Sequence, residues 1–129
     1  MLAVDTNVIV RYLTRDDAEQ FAKASALIGT EAVYVSATVL LETEWVLRRG
    51  YRFGRERVIA ALAAFAGLPR VTLEDPAGAA NALEWARSGM DFADALHLAK
   101  AQGCDAFISF DQRFAAVADG LSKIKVRAP

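Results

Sequence analysis

The fold of this chain is decided by its opening stretch, MLAVDTNVIVRYL (residues 1–13). Residues 1–5 read as a short buried strand that ends at Asp5, and the apolar residues after it follow at helical spacing. The same change from a short apolar strand to a longer helix recurs after residues 32–35, 70–73 and 106–109. Because short apolar strands alternating with helices indicate a covered parallel sheet, we predict an α/β fold with a short central parallel sheet of four to five strands, the fifth at residues 124–126.

Capping residues give the expected bounds of two helices. Asp16 with Glu19 three residues later resembles a capping box, and Gly29 is expected to end the helix that follows. Ser36 is expected to cap a helix over residues 37–49.

The composition limits the classes of protein that fit. A chain of 129 residues fits one domain, and its hydrophobic fraction of 54% suggests apolar surface for a partner or a second subunit. The formal net charge of −1 excludes a global positive field, so contact with a polyanion has to come from a local basic patch. The single cysteine can form no internal disulfide, and no apolar stretch could span a bilayer. We therefore expect one domain over residues 1–129, without a membrane segment, in the reducing cytoplasm.

Four acidic residues are candidates for one functional site: Asp5, Glu42, Asp94 and Asp111. Carboxylates are costly to remove from water unless something compensates them, and a divalent cation is one such compensator. Asp5 and Asp111 follow strands, and ligands of open parallel sheets bind beyond the carboxyl ends of the strands. A purely structural interpretation stays open, because Asp5, Asp91 and Asp111 also stand where helices begin, and Asp is a preferred N-cap.

Two of the acids lie inside helical patterns. Glu42 lies about 100° from the centre of an apolar stripe. Glu44 lies about as far on the other side and can pair with Arg48, so the geometry slightly favours Glu44 at the surface and Glu42 in the site and leaves the choice between them open. Asp94, one turn after Asp91, could simply favour the positive end of the helix dipole, but its helix is apolar on several sides. We therefore expect Asp94 to be half-buried.

Four stretches in series resemble the PIN-domain nucleases, and specifically the VapC-type toxins of toxin–antitoxin pairs: MLAVDTNVIVRYL, SATVLLETEWVLR, DFADALHLA and ISFDQRF. The resemblance implies a PIN-like three-layer α/β/α fold. It places the catalytic, metal-binding acids at Asp5, Glu42, Asp94 and Asp111, and so favours Glu42 over Glu44. It also implies supporting positions that orient the acids or a bound water, at Asp91, Thr6, Asn7 and Ser109.

The donor atoms limit the cofactor of such a site. Oxygen ligands suit Mg²⁺ or Mn²⁺, whereas one His and one Cys cannot form an ordinary zinc site. The expected reaction is hydrolysis of an RNA phosphodiester bond by water that one or two bound cations activate. His97 lies one turn after Asp94 and has the spacing of a catalytic base, but a lone His on a packed helix is more often structural.

A basic segment and two apolar side chains are candidates for contacts with partners. Arginines grip phosphates and aromatic rings stack on unpaired bases, so we expect RNA contacts at Arg11, Arg15, Arg48, Arg49 and Arg52. The segment after residue 48 could equally be a solvated turn, or receive part of an antitoxin. Leu41 and Trp45 point away from the apolar stripe of their helix, which favours an interface or a neighbouring helix over them. The resemblance implies a homodimer that binds a VapB-type antitoxin by its C-terminal tail.

Other interpretations stay open. An RNA-processing PIN nuclease outside toxin–antitoxin biology would use the same chemistry with a different partner, although the short length favours the toxin. A non-enzymatic receiver domain is also a small α/β fold with acids at strand ends, but Asp111 follows the fourth strand where a lysine is required. A phosphatase with an aspartyl nucleophile would need an Asp two residues after Asp5, where Asn7 stands.

Overall fold

The computed structural model describes residues 1–129, which form seven α-helices and five short strands. In chain order the elements are β1 (Leu2–Ala3), α1 (Thr6–Thr14), α2 (Ala18–Thr30), β2 (Val33–Val35), α3 (Ala37–Trp45), a π-helical turn (Val46–Gly50), α4 (Arg55–Ala66), β3 (Val71–Leu73), α5 (Pro76–Arg87), α6 (Phe92–Lys100), β4 (Ala106–Ile108), α7 (Gln112–Ala118) and β5 (Lys125–Arg127). Every strand pair is parallel, which confirms the predicted α/β class.

The chain divides into two compact units, Met1–Pro76 and Ala77–Pro129, each with its own parallel sheet. The expectation of one domain over residues 1–129 stays a prediction. None of the helices combines the length and the hydropathy that crossing a bilayer would require.

The first unit is built on a three-stranded sheet in the order β1-β2-β3. The central strand β2 is the buried one, because Val33 and Val35 have no exposed surface. Helix α1 packs against α2 and α3, and α4 packs against β3 and α3. The buried strand expected over residues 1–5 is only partly found: β1 comprises Leu2 and Ala3, both exposed at the edge of this sheet, whereas the next residue, Val4, is buried. Fully buried side chains form the core of the unit: Ile9, Val10, Leu40, Leu47, Val58 and Leu62.

Three helix bounds in the first unit differ from the prediction. Asp17 rather than Asp16 caps α2, with its carboxylate accepting the backbone N–H of Gln20 at 2.9 Å. Asp16 is engaged elsewhere, because the Tyr51 hydroxyl donates to its carboxylate at 2.6 Å. Helix α2 also continues through Gly29 to Thr30. Ser36 caps α3 as predicted, but α3 ends at Trp45 and the backbone continues as the π-helical turn, which widens the spacing over the last predicted helical residues.

The second unit pairs β4 with β5 and packs α7 against β5. The Phe107 ring meets the Phe114 ring of α7 edge-on, with 5.4 Å between ring centroids. Helix α5 begins with Pro76, and the chain leaves it through Gly89, whose φ of +111° suits a residue without a side chain. Strand β5 lies one residue later than predicted.

Candidate active site

The first unit brings the start of α1 and the middle of α3 together. The Thr6 hydroxyl, which is buried, donates a hydrogen bond to Oε1 of Glu42. Asp5 is the N-cap of α1, with its carboxylate accepting the N–H of Val8 at 3.2 Å. Asp5 and Glu42 are themselves exposed. Thr6 therefore links two exposed carboxylates, one as its neighbour in sequence and the other through the hydrogen bond.

Of the two glutamates of α3, the structure buries Glu44, which was expected at the surface, and exposes Glu42. Glu44 is 4% exposed, and its Oε1 receives the Nε–H of Arg48 at 2.7 Å. The pairing with Arg48 is confirmed, but the expected surface position of Glu44 is wrong, because α3 packs against both α1 and α4 and is covered on more than one side. Glu44 is thus a buried structural acid. Glu42 keeps an exposed carboxylate whose hydrogen bond comes from a neutral hydroxyl.

The second unit carries three aspartates at two helix starts. Asp91 caps α6, with its carboxylate accepting the N–H of Asp94 at 3.2 Å. Asp111 caps α7, with its carboxylate accepting the N–H of Phe114 at 3.0 Å. The backbone N–H of Asp111 in turn donates to the Ser109 hydroxyl at 3.0 Å. The capping roles foreseen for Asp91 and Asp111 are therefore confirmed, and they leave further carboxylate lone pairs for other partners.

The surroundings of Asp94 in the second unit perturb its ionisation. Asp94 is half-buried, as predicted, and burial is the main cause that raises its pKa above the ordinary range. The negative charges of Asp91 and Asp111 raise the pKa of Asp94 further, and His97 opposes them. Neighbouring like charges destabilise one another, and a bound divalent cation would reverse that effect.

The donors of both groups fit a hard cation. They are carboxylates and hydroxyls, with no thiol and with one exposed imidazole at His97. Neither unit holds three His, Cys, Asp or Glu side chains arranged as ligands of one ion. Mg²⁺ commonly takes only one or two protein carboxylates and keeps several waters, so such small groups of acids suit it.

A family comparison decides what class of protein this is. The sequence model described as PIN domain matches residues 2–120. The chain belongs to the PIN domain family. The match covers the first unit from residue 2, the second unit as far as residue 120, and all four candidate acids. PIN domains are generally nucleases that use divalent metal ions, and membership therefore supports a hydrolase that acts on nucleic acid. A search of curated proteins found no match to the chain.

The supporting residues of this PIN domain differ in whether they contact a candidate acid. Thr6 binds Glu42, and Ser109 holds the backbone of Asp111, so both touch a candidate acid. Asn7 is exposed and lines a groove of about 320 Å³ between α1 and α2.

Three of the five arginines expected to contact RNA have partners within the first unit. Arg11 donates to Asp16, Gln20 and Tyr51, and the hydrogen bond with Tyr51, followed by the negative charge of Asp16, raises the pKa of Arg11. The Arg15 guanidinium lies over the Phe21 ring at 4.7 Å, and Arg48 is paired with Glu44. Arg49 and Arg52 are exposed. Those two are therefore the arginines of the set most available to a nucleic acid.

The side chains foreseen as an interface are only partly covered. Trp45 is 56% exposed and Leu41 is half-buried. A large aromatic side chain left this open on a helix is typical of contact surfaces, so the interface stays a prediction with Trp45 at its centre.

One residue beside the Asp111 group was not foreseen from the sequence. Arg127 lies opposite Ile108 in the β4–β5 pair, and its carbonyl accepts the N–H of Ser109 at 3.0 Å. The alternation of Lys125, Val126 and Arg127, with only Val126 buried, is a signal that Arg127 is exposed, but its position beside Ser109 depends on strand pairing.

Proposed function

We propose that this PIN domain is a Mg²⁺- or Mn²⁺-dependent endoribonuclease and the toxin of a VapBC-type toxin–antitoxin pair. The observation that carries the proposal is the family match over residues 2–120, which includes every acid of the candidate site. The exposed, hydroxyl-bound Glu42 and the crowded carboxylates around Asp94 support it, because both are arrangements that a divalent cation would stabilise.

We propose Asp5, Glu42, Asp94 and Asp111 as the acids that would hold the cation, directly or through its water ligands. A bound cation would neutralise charge on the phosphate and activate the attacking water. Thr6 holds the Glu42 carboxylate in one orientation, and its hydroxyl is buried and therefore has little freedom to move. Ser109 and the Phe114 N–H fix Asp111 from both sides, and Asp91 fixes the first turn of α6, which carries Asp94. These contacts hold the carboxylates in place before the substrate arrives. Asn7 is assigned to orient the bound water.

The RNA is proposed to contact the exposed Arg49 and Arg52. Arg11, Arg15 and Arg48 are proposed to add positive potential near the RNA while they keep their partners within the chain. For Arg52 the backbone lies in the left-handed region with φ of +58°, which gives the segment after α3 a sharp change of direction. The exposed Cys104, which has no disulfide, fits the proposed location in the reducing cytoplasm.

Two partners belong to the proposal. A VapB-type antitoxin would bind by an apolar segment, and the groove between α1 and α2, with Val8, Ala24 and Leu27 among its lining residues, is suited to one. A second copy of the chain would cover Trp45 and Leu41 and form a homodimer.

The test of the activity is cleavage of labelled RNA by the purified chain with Mg²⁺ or Mn²⁺. Asp5→Asn and Asp94→Asn should each lower the cleavage rate by about 100-fold or more, because they remove a ligand charge worth several kcal/mol in the transition state. Asp17→Asn is the matched control, since Asp17 caps α2. Asn caps helices as well as Asp does, so Asp5→Asn and Asp17→Asn remove charge while keeping the caps. Cleavage that survives excess EDTA, or that Asp94→Asn leaves unchanged, would overturn the proposal.

The toxin role has its own test. Induced expression should arrest growth, Asp94→Asn should not, and co-expression of a short DNA-binding protein encoded beside the toxin should restore growth. Sequencing of the RNA ends in the induced cells identifies the substrate. Cleavage without growth arrest would favour an RNA-processing PIN nuclease instead.

A further inference from the structure

We propose that Phe110 and Arg127, at one end of the β4–β5 pair, form a binding site for single-stranded RNA next to Asp111, in which the Phe110 ring stacks on a base and the Arg127 guanidinium holds a phosphate. The inference rests on the proposed function, and it adds a substrate-binding surface in the second unit to the arginines of the first.

The register of the two strands places Arg127 beside the acid. Ile108 pairs with Arg127, and the Ser109 N–H donates to the Arg127 carbonyl at 3.0 Å. Because parallel strands end at the same edge, the end of β5 lies next to the segment that leads from Ser109 to Asp111. Ser109 is itself hydrogen-bonded to the Asp111 backbone. One chain of contacts therefore joins Arg127 to a candidate catalytic acid.

Within the second unit, the two faces of the β4–β5 pair differ in how far α7 covers them. Phe107 packs on Phe114 of α7, and Val126, its partner in register, is buried. Neighbours in register point to the same face, so Ile108 and Arg127 lie on the face that α7 does not cover. Ile108 is 48% exposed. The side that carries Arg127 is thus open to a ligand.

Phe110 is the most exposed large apolar side chain in the chain, at 85%. The ring lies directly between Ser109 and Asp111 in sequence, and the folded chain removes little of its apolar surface from water. A nucleobase offers such a ring a flat apolar partner, and stacking of this kind is how proteins hold unpaired bases.

The charge around this strand end favours a polyanion as the partner. Residues 122–127 read SKIKVR, with three cations and no acid, in a chain whose net charge is −1. Lys125 and Arg127 are exposed, and the only hydrogen bond of the Arg127 guanidinium is to the neighbouring Ala128 carbonyl at 3.2 Å. A phosphate could replace that weak local contact with a charge-assisted one.

Fluorescence anisotropy tests the site with a labelled oligouridine of about 12 nucleotides, within the length that single-strand binding folds cover. An Asp94→Asn background keeps the RNA intact. Arg127→Gln should weaken binding and reduce the slope of log K against log salt by about 0.7, as expected for one lost single-strand phosphate contact. Phe110→Ala should weaken binding roughly fivefold or more with the slope unchanged, and Phe110→Trp should restore it.

Matched controls are available in the same unit. Arg87→Gln removes an exposed cation that pairs with Glu84, and Leu121→Ala removes an exposed apolar side chain, and neither should change affinity or slope. Unchanged affinity and slope in Arg127→Gln, or wild-type affinity in Phe110→Ala, would overturn the site. Loss of self-association in Phe110→Ala with RNA affinity retained would mean that the ring meets protein instead.

The proposed function fails separately. If the wild-type chain binds the oligomer through Phe110 and Arg127 but does not cleave RNA with Mg²⁺ or Mn²⁺, the site stands and the nuclease assignment falls. If the wild-type chain cleaves RNA and the Phe110 and Arg127 variants bind the oligomer with wild-type affinity, the nuclease assignment stands and the site falls. A chain that neither binds nor cleaves RNA contradicts both.

Discussion

Glu42→Gln and Glu44→Gln should separate catalysis from stability on a single helix. The Glu44 carboxylate is buried and paired with Arg48 at 2.7 Å, whereas the Glu42 carboxylate is exposed and accepts a hydrogen bond from Thr6. Glutamine preserves the shape of both side chains and removes only the charge. The two substitutions therefore compare a structural acid with a proposed metal ligand two residues away.

The cost of Glu44→Gln follows from the charge that it leaves behind. Breaking a fully buried ion pair costs about 3–5 kcal/mol, but the Arg48 side chain is 25% exposed and solvent screens part of its charge. We expect a loss of about 2 kcal/mol. For a chain of this size that corresponds to a fall in melting temperature of about 7 °C. Glu42→Gln keeps the acceptor for Thr6 and should change stability by no more than about 0.5 kcal/mol.

Thermal melts followed by circular dichroism and RNA cleavage measured well below both melting temperatures form the assay. Glu44→Gln should retain cleavage, and Glu42→Gln should lose about 100-fold or more. The double variant Glu44→Gln with Arg48→Gln should lose less stability than the sum of the single losses, because the two side chains interact. An unchanged melting temperature in Glu44→Gln, or loss of cleavage in Glu44→Gln with full activity in Glu42→Gln, would refute the assignment of the two roles.

Two further predictions concern single side chains, Asp16 and Trp45. The hydrogen bonds from Tyr51 and then Thr14 lower the pKa of Asp16, so its stabilising effect is complete above the ordinary Asp pKa of about 4 and is lost as pH falls through the lower folded-state pKa. The melting temperatures of wild type and Asp16→Asn should differ by a constant amount near neutral pH and converge on acidification; a gap that persists in strong acid would exclude this cause. Trp45→Ser should leave the melting temperature of a dilute monomer nearly unchanged and weaken self-association in analytical ultracentrifugation, whereas unchanged sedimentation would remove Trp45 from the proposed interface.

The sequence alone determined the features that depend on contacts within one turn. Asp5, Ser36, Asp91 and Asp111 each cap a helix by accepting an N–H three residues later, and a side chain of the right type just before a helical pattern is enough to predict that. The alternation of strands and helices and the half-burial of Asp94 follow from apolar periodicity in the same way. These features were correct because few distant residues compete for them.

Only the tertiary structure decided the features that depend on residues far along the chain. Asp16 is a good N-cap by type, but Tyr51, 35 residues away, binds it, and Asp17 caps α2 instead. Glu44 looks like a surface residue on a helical projection and is buried because two other helices cover α3. Arg127 meets Ser109 only through strand pairing, which no local pattern specifies. Local hydrogen bonds are set by residue type and spacing, whereas burial and register are set by what packs against an element, and that is a property of the whole fold.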